Sequence, residues 1–305
     1  MTDTVTDRHY WSFLENRKNI LITGASSGFG KLTTQTLLKA GHTVVASMRG
    51  ADTKNKSVAA ELKSAGAHIV EIDVTRDNSV TKGVDAALEM AAGIDVVVNN
   101  AGMGVIGLQE SFTPEDWQGL FDINVFGVQR VNRAVLPHMR EKNSGLLVHI
   151  TSILGRMVLP FYGPYNASKW AMEALAENYR VELSGFGIDV CIVEPGGFPT
   201  NFMDKLLKPG DPDRDGGYGE FAQAPLALFT NFEKALADNP SQNPQNVADA
   251  VADLVDTPAG QRSFRTVVDK MGMGDPMASY NEQLEQITAG IYNAFGMGEM
   301  LKLKT

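Results

Sequence analysis

The chain of 305 residues holds a single cysteine, Cys191. An intramolecular disulfide is therefore excluded, as is any cysteine-rich metal cluster. Cys191 lies inside the apolar run Ile188-Asp189-Val190-Cys191-Ile192-Val193, where a small buried thiol packs in a strand. Histidines number five and are scattered without metal-ligand spacing. His149 falls in an apolar strand pattern, which favours a hydrogen-bonded structural role. Basic residues are fewer than acidic ones, 27 against 36, for a net charge of −9. That balance argues against general binding to nucleic acid or to an anionic membrane, yet leaves room for a phosphate site made by local groups. No apolar run is long enough to span a bilayer, and Met1–Lys18 lacks the apolar core of a signal peptide, so the expected location is cytoplasmic. No repeat of solenoid type is present.

What the sequence does contain is a set of apolar strands that end in polar or glycine-rich turns. Ile20-Leu21-Ile22 runs into Thr23-Gly24-Ala25-Ser26-Ser27-Gly28-Phe29-Gly30, and a helical pattern follows to Lys39. Such a turn lets backbone approach a pyrophosphate and aims helix N-terminal amides at it. Asp95-Val96-Val97-Val98 ends in Asn99-Asn100-Ala101-Gly102, and Leu146-Leu147-Val148-His149-Ile150 ends in Thr151-Ser152. Ligands of open parallel sheets bind beyond the carboxyl ends of the strands, so all three endings point to one crevice. Tyr165 and Lys169 stand at i and i+4, on one helix face. A lysine ammonium there can lower the pKa of a tyrosine hydroxyl from its usual value of about 10, which makes Tyr165 a candidate general acid/base. In isolation the pair would be an ordinary solvated helix face; thirteen residues after Ser152, it converges with the strand end.

Further strands are expected at 42–48, 68–73, 189–194 and 264–269, and helices at 28–40, 57–65, 77–91 and 165–184. Thr113-Pro114-Glu115-Asp116 starts another helix, with Thr as N-cap and Pro at N1, which bends and continues through Asn124 to Met139. With 43% hydrophobic residues the chain has material for a large core. Repeated strand-helix units predict one α/β domain over 1–305, doubly wound, with a mostly parallel seven-stranded sheet and helices on both faces. Within it, 1–18 is an N-terminal extension, 19–200 the cofactor-binding and catalytic core, 201–246 a substrate-loop insertion, and 247–305 a C-terminal strand with helices.

Taken together, the residues Thr23 to Gly30, Asp73-Val74, Asn99 to Gly102, Asn124, Ser152, Tyr165/Lys169 and Pro195-Gly196 with Thr200 resemble the short-chain dehydrogenase/reductase family in motif order, from about Asn19 to about Thr200. The resemblance implies a Rossmann-like fold and hydride transfer between a nicotinamide cofactor and a carbonyl or alcohol. Catalytic roles would fall to Asn124, Ser152, Tyr165 and Lys169. Tyr165 would donate a proton to the developing alkoxide, Ser152 would hydrogen-bond the same oxygen, and Lys169 would hold the nicotinamide ribose. Asn124 would hold a water linking Lys169 to solvent, or satisfy a carbonyl freed by a helix kink. The cofactor would lie on Gly24, Ser26, Ser27, Gly28, Phe29 and Gly30, with Asp73 accepting from the adenine amino group beside the Val74 amide. Asn99, Ala101 and Gly102 would line the adenosine and ribose channel; Pro195, Gly196 and Phe198 would also bind cofactor, and Thr200 would contact the carboxamide end or a phosphate.

The second strand ends Ala46-Ser47-Met48-Arg49. NAD-preferring relatives often carry Asp where Met48 stands, and a guanidinium at Arg49 suits a 2′-phosphate, so NADP(H) is the expected cofactor with NAD(H) possible. Against this, Ser27 is not the basic residue of many NADP enzymes. The substrate is expected to be a small, hydrophobic carbonyl or secondary alcohol, bound by Met103, Ile153, Leu154, Tyr162, Phe198 and Phe202. The long stretch after Thr200 reads equally as a mobile lid or as a packed helical insertion. A C-terminal helix over 277–295 docks on the core or contacts a subunit. The resemblance implies a homodimer or homotetramer. Two other functions on the same fold are a non-catalytic NADP-sensing protein and a redox-neutral epimerase or dehydratase.

Overall fold

In the computed structural model, which describes residues 17–305, seven parallel strands form one sheet: β1 (Asn19–Ile22), β2 (Thr43–Met48), β3 (His68–Glu71), β4 (Val96–Asn99), β5 (Gly145–Ile150), β6 (Ile188–Pro195) and β7 (Arg265–Val268). Their order is β3-β2-β1-β4-β5-β6-β7, so the chain starts at the centre, winds outward to one edge, then returns and winds to the other. The seven-stranded α/β expectation holds, with every pairing parallel.

Parallel strands covered on both faces must be apolar at consecutive positions, and these strands are. Ile20 and Ile22 of β1 face one core with Val44, Ala46, Val96, Val98, Val148 and Val193. Leu21 faces the other with Val45, Val97, Leu147 and Ile192. The first core is closed by α1 (Gly28–Lys39), α2 (Lys56–Ser64) and, later in the chain, the amphipathic helix of residues 245–256. The second is closed by α3 (Asp77–Ala91) and by the long helices that follow β4 and β5. Cys191 is fully buried in the first core, and burial pushes its thiol up, far from a reactive thiolate. His149 is buried in β5 with its Nε2 3.3 Å from Asn132 Nδ2, and burial drives its pKa down to about 4, which keeps the ring neutral.

The helix after β4 begins as the sequence predicts. Thr113 Oγ1 accepts from the Asp116 amide at 3.2 Å, Asp116 Oδ2 accepts from the Thr113 amide at 2.9 Å, and Pro114 opens α4 (Pro114–Phe121). A π turn over Asp122–Phe126 then widens the helix before α5 (Gly127–Lys142). The next helix, α6 (Gly163–Leu183), starts two residues before Tyr165. Beyond β6 come short 3-10 turns over 203–205 and 212–223, then α7 (Ala224–Ala237), α8 (Gln245–Asp256) and α9 (Gly274–Ala294). No helix among the described residues is long and apolar enough to cross a membrane. Trp11, Phe13 and Leu14, expected either to cap the fold or to hang free, lie outside the described residues.

The stretch after Thr200 is a closely attached insertion. Gly210 N donates to Asp116 Oδ2 at 2.8 Å, Ser111 Oγ donates to Asp215 Oδ1 at 2.5 Å, and Glu110 accepts from Arg214 at 2.9 Å and from Tyr218 at 2.7 Å. These bonds join residues about a hundred positions apart and set the insertion over the carboxyl ends of the strands.

Candidate active site

Beyond those strand ends lies a cavity of about 610 Å³. Its floor is the glycine turn after β1. Gly24 takes φ +69° and Gly28 φ +53°, a left-handed backbone that L side chains seldom adopt. A Cβ on Gly24 would stand 2.9 Å from Ala101 Cα, so the turn sits directly on the strand end of β4. Gly30 performs a packing role: a Cβ there would come within 2.5 Å of Gly24 O. Asn100 Nδ2 completes the turn by donating to Thr23 O at 2.9 Å and Gly24 O at 3.2 Å.

Ser152, Tyr165 and Lys169 meet at one wall of this cavity. Ser152 ends the strand-to-helix passage after β5, and its Oγ accepts from the Leu154 amide at 3.1 Å. Lys169 Nζ donates to Ile150 O at 3.0 Å and stands 5.6 Å from the centroid of the Tyr165 ring. Asn124, fully buried in the π turn, accepts from Met103 N and donates to Met103 O, both at 2.9 Å, and donates to Ser168 Oγ at 3.0 Å. Between them passes Gly102, where a Cβ would stand 3.3 Å from Asn124 Oδ1 and 3.8 Å from Lys169 Nζ. A side chain there would press on the Asn124 amide and narrow the passage of the strand end beside the ammonium.

The short chain dehydrogenase family profile matches residues 18–210 of the chain. The chain belongs to the short-chain dehydrogenase/reductase family. It is 40% identical over 185 residues to 3-ketodihydrosphingosine reductase of Bacteroides thetaiotaomicron, covering 61% of this chain and 65% of that protein. It is 34% identical over 251 residues to retinol dehydrogenase 8 of Homo sapiens, covering 78% of each. A short-chain dehydrogenase from Streptomyces avermitilis superposes with a TM-score of 0.72 at 29% identity, over 92% of this chain and 98% of that one. The protein is accordingly an oxidoreductase of the alcohol and ketone type that works with a nicotinamide cofactor. The residues present fit that group: the two left-handed glycines leave a side-chain-free cradle at the start of α1, as a diphosphate requires.

Of the expected cofactor residues, this dehydrogenase places Gly24, Ser26, Ser27, Gly28, Phe29, Arg49, Val74, Ala101, Gly102, Pro195, Gly196, Phe198 and Thr200 around the cavity with Tyr165 and Lys169. The expected substrate residues Met103, Ile153, Leu154, Tyr162, Phe198 and Phe202 line it as well. Asn99 departs from expectation. It is buried, and its amide donates to Asn132 Oδ1 at 2.8 Å, because strand alternation turns it with Val97 toward α5; Asn100 takes the place at the cavity wall. Asp73 is also absent from the wall, although Ile72, Val74 and Thr75 belong to it. Its carboxylate accepts from the Thr75 amide at 3.0 Å and hydroxyl at 2.7 Å. Partial burial pushes that carboxyl up, but Thr75, Arg49 and Arg76 outweigh it and hold it below its usual range. Lys54, Asn55, Asn201, Lys205 and Phe232 line the cavity without any motif to announce them. They come from loops and from α7, brought in by tertiary packing.

The expected effect of Lys169 on Tyr165 is overruled by burial. Desolvation pushes the Tyr165 hydroxyl up to about 12, only partly opposed by the Ser152 hydroxyl, and the nearby Tyr162 adds to the rise. Lys169 itself is driven down to about 8 by burial, with Glu173 one turn along α6 pulling back. Its ammonium is directed to the Ile150 carbonyl rather than to the phenol oxygen.

Behind this wall sits a buried ionic cluster. Arg265 of β7 contacts Glu173 at 3.0 Å, Glu194 at 3.4 Å and also Glu177. Arg156 lies 3.6 Å from Glu194 and 3.8 Å from Glu173, and stacks on Tyr280 of α9 at 5.6 Å. Asn281 bridges the two signs, accepting from Arg156 at 3.0 Å and donating to Glu194 at 2.5 Å. The C-terminal helix is thereby docked behind Ser152 and Lys169. Burial, with Glu173 adding, pushes Glu194 up to about 7 from its usual 4.5. A carboxyl with a raised folded pKa contributes its stability below the unfolded pKa and loses it as pH climbs through the folded one. The wild type is therefore expected to lose melting temperature between about pH 4.5 and 7, and Glu194→Gln to flatten that fall, as measured by thermal scans across the range.

Proposed function

We propose that this dehydrogenase is an NADP-dependent reductase of apolar ketones or aldehydes, with Tyr165 as the general acid. The observation that carries this reading is the shared cavity: Ser152, Tyr165 and Lys169 at one wall, a phosphate cradle at the floor, and an apolar lining of Leu154, Leu159, Tyr162, Phe202 and Phe232. Such a surface fits a substrate with an extended hydrocarbon part. Retinol dehydrogenase 8 and 3-ketodihydrosphingosine reductase, both named for long apolar compounds, support the same class.

The cofactor, when bound, supplies or accepts the hydride. The chain's own residues do the rest. Tyr165, protonated because burial raises its pKa, donates to the carbonyl oxygen as negative charge develops there. Ser152, whose Oγ already accepts from Leu154, turns its own proton toward the same oxygen. Lys169, fixed on the Ile150 carbonyl, presents its remaining protons to ribose hydroxyls and keeps a positive charge beside the phenol. Asn124 locks the Met103 backbone, and with it the loop that forms the substrate side.

Arg49 and Lys54 both line the cavity at the end of β2, and no carboxylate occupies Met48, which supports the NADP preference. Arg49→Ala is expected to lower the NADPH over NADH preference by roughly 10- to 100-fold, the worth of one charge-assisted hydrogen bond. Cofactor titrations with both nucleotides check this; an unchanged ratio rejects the NADP assignment. Consumption of NADPH with a series of ketones of rising chain length tests the substrate class, and turnover confined to short polar ketones rejects it. Phe126 and Trp170, exposed on the surface near α5 and on α6, support a homodimer or homotetramer through these helices.

A further inference from the structure

The segment after Thr200 touches three parts of the site at once. Thr200 lies over the glycine turn, where a Cβ on Gly28 would stand 3.7 Å from its own Cβ. Phe202 packs on the catalytic tyrosine, with ring centroids 5.8 Å apart. Phe202 and Leu206 also fill the space above Gly104, where a Cβ would come within 2.6 Å of each, and Leu207 donates to Gly104 O at 3.0 Å. Lys205, in the same short turn, reaches the opposite way, with its Nζ 3.5 Å from Ser27 Oγ. Both residues line the cavity. Ser27 is the residue that opens α1, and its hydroxyl caps none of that helix's amides. Among the described residues no carboxylate stands within ion-pair distance of Lys205.

We propose that Lys205 binds the diphosphate of the dinucleotide and thereby ties the 201–207 segment to the glycine turn, so that cofactor binding and the seating of Phe202 on Tyr165 are one event. This rests on the reading of the turn as a dinucleotide site. An ammonium is a compact point charge suited to phosphate oxygens, and at Ser27 it stands beside the positive end of α1 and the amides that face an anion there. The same lysine carries the segment whose Phe202 forms part of the apolar wall. Arg49 stands at the end of β2, where a 2′-phosphate would lie; Lys205 stands at a group that NAD and NADP share.

The experiment uses the full chain as wild type, Lys205→Met and Lys205→Arg, with NADP⁺ and NAD⁺ as probes. Binding is followed by calorimetry at low and high salt. Exposure of Phe202 and Leu206 is followed by limited chymotrypsin cleavage with and without NADP⁺. Lys205→Met is expected to raise both dissociation constants by the same factor, about tenfold, with the NADP/NAD ratio unchanged and a shallower salt dependence. Lys205→Arg is expected to restore most of the affinity. NADP⁺ is expected to protect the wild type from cleavage and to fail to protect Lys205→Met. Dissociation constants within twofold of the wild type, or protection that persists in Lys205→Met, would overturn the proposal. A change in the NADP/NAD ratio would also overturn it, by placing Lys205 at the ribose phosphate. If the wild type binds neither nucleotide, the dinucleotide reading itself falls, an outcome distinct from a variant that merely matches the wild type.

Discussion

Tyr165→Phe is expected to lower the rate of carbonyl reduction by about 10²- to 10⁴-fold, the usual worth of a positioned general acid, while the melting temperature and the NADPH dissociation constant stay near those of the wild type. The substitution removes one oxygen and keeps the ring that packs on Phe202. Single-turnover kinetics beside a binding titration separate the two effects, and near-normal turnover would remove Tyr165 from the chemistry. The pH dependence has a definite sign. With the hydroxyl pushed up to about 12 by burial, the proton needed for reduction is held throughout the neutral range. Oxidation of an alcohol needs the deprotonated form, so its rate is expected to rise with pH, up to about tenfold per unit where this ionisation limits it. A flat oxidation profile between pH 7 and 10 would show that another group takes the proton.

The largest loss of stability is expected from Arg265→Met. The guanidinium lies closer to Glu173, Glu177 and Glu194 than Arg156 does, which meets the same three only at 3.6–3.8 Å, and its side chain and those of Glu173 and Glu194 are all nearly excluded from water. Its removal leaves three carboxylates with Arg156 alone. Breaking a buried ion pair from one side costs about 3–5 kcal/mol, because the stranded charge remains in a medium that solvates it poorly. Urea unfolding at pH 9, above the raised Glu194 pKa of about 7, measures the loss. The loss is expected to shrink as pH falls through 7 toward 4, since protonation of Glu173 and Glu194, both raised by burial, removes the stranded charge. A loss below 1 kcal/mol at pH 9 would show that Arg265 does not hold these carboxylates.

The parts of the fold visible in the sequence are those set by local chemistry. Short apolar runs such as Val96-Val97-Val98 and Leu146-Leu147-Val148, bounded by turn residues, fit buried strands, and Thr113-Pro114-Glu115-Asp116 forms its capping box from four consecutive residues. Ser152, Tyr165 and Lys169 converge because a strand end and a helix start are thirteen residues apart. Where expectation and structure part, the cause is tertiary. Asn99 belongs to a motif, but alternation along β4 decides which way it turns. The lysine expected to depress the phenol pKa sits beside it, and desolvation of the same pocket acts more strongly in the other direction. Lys205 and Phe232 reach the cavity from an insertion with no fixed pattern. Arg156, Glu173, Glu194 and Arg265 look in sequence like separate surface charges; only the meeting of α6, β6, β7 and α9 buries them as a group.

The strand order divides the labour of recognition between two lengths of chain. Because the chain leaves the central β1 toward β3 first and returns to β4 afterwards, one part of the cavity is furnished by Gly24 to Thr75, and the part that holds Ser152, Tyr165 and Lys169 by residues from Asn100 onward. The two lengths meet in the packing of Gly24 on Ala101 and the hydrogen bonds of Asn100 to the glycine turn. On the proposed NADP reading, selection can exchange one dinucleotide for another by altering Arg49 or Lys54, and leave the groups around Tyr165 untouched. Retuning of substrate, in turn, can proceed at Phe202 or Phe232 of the insertion so long as Lys205, which reaches Ser27 of the first half, is kept. A scaffold wound outward in both directions from its middle strand keeps these two inheritable traits separable.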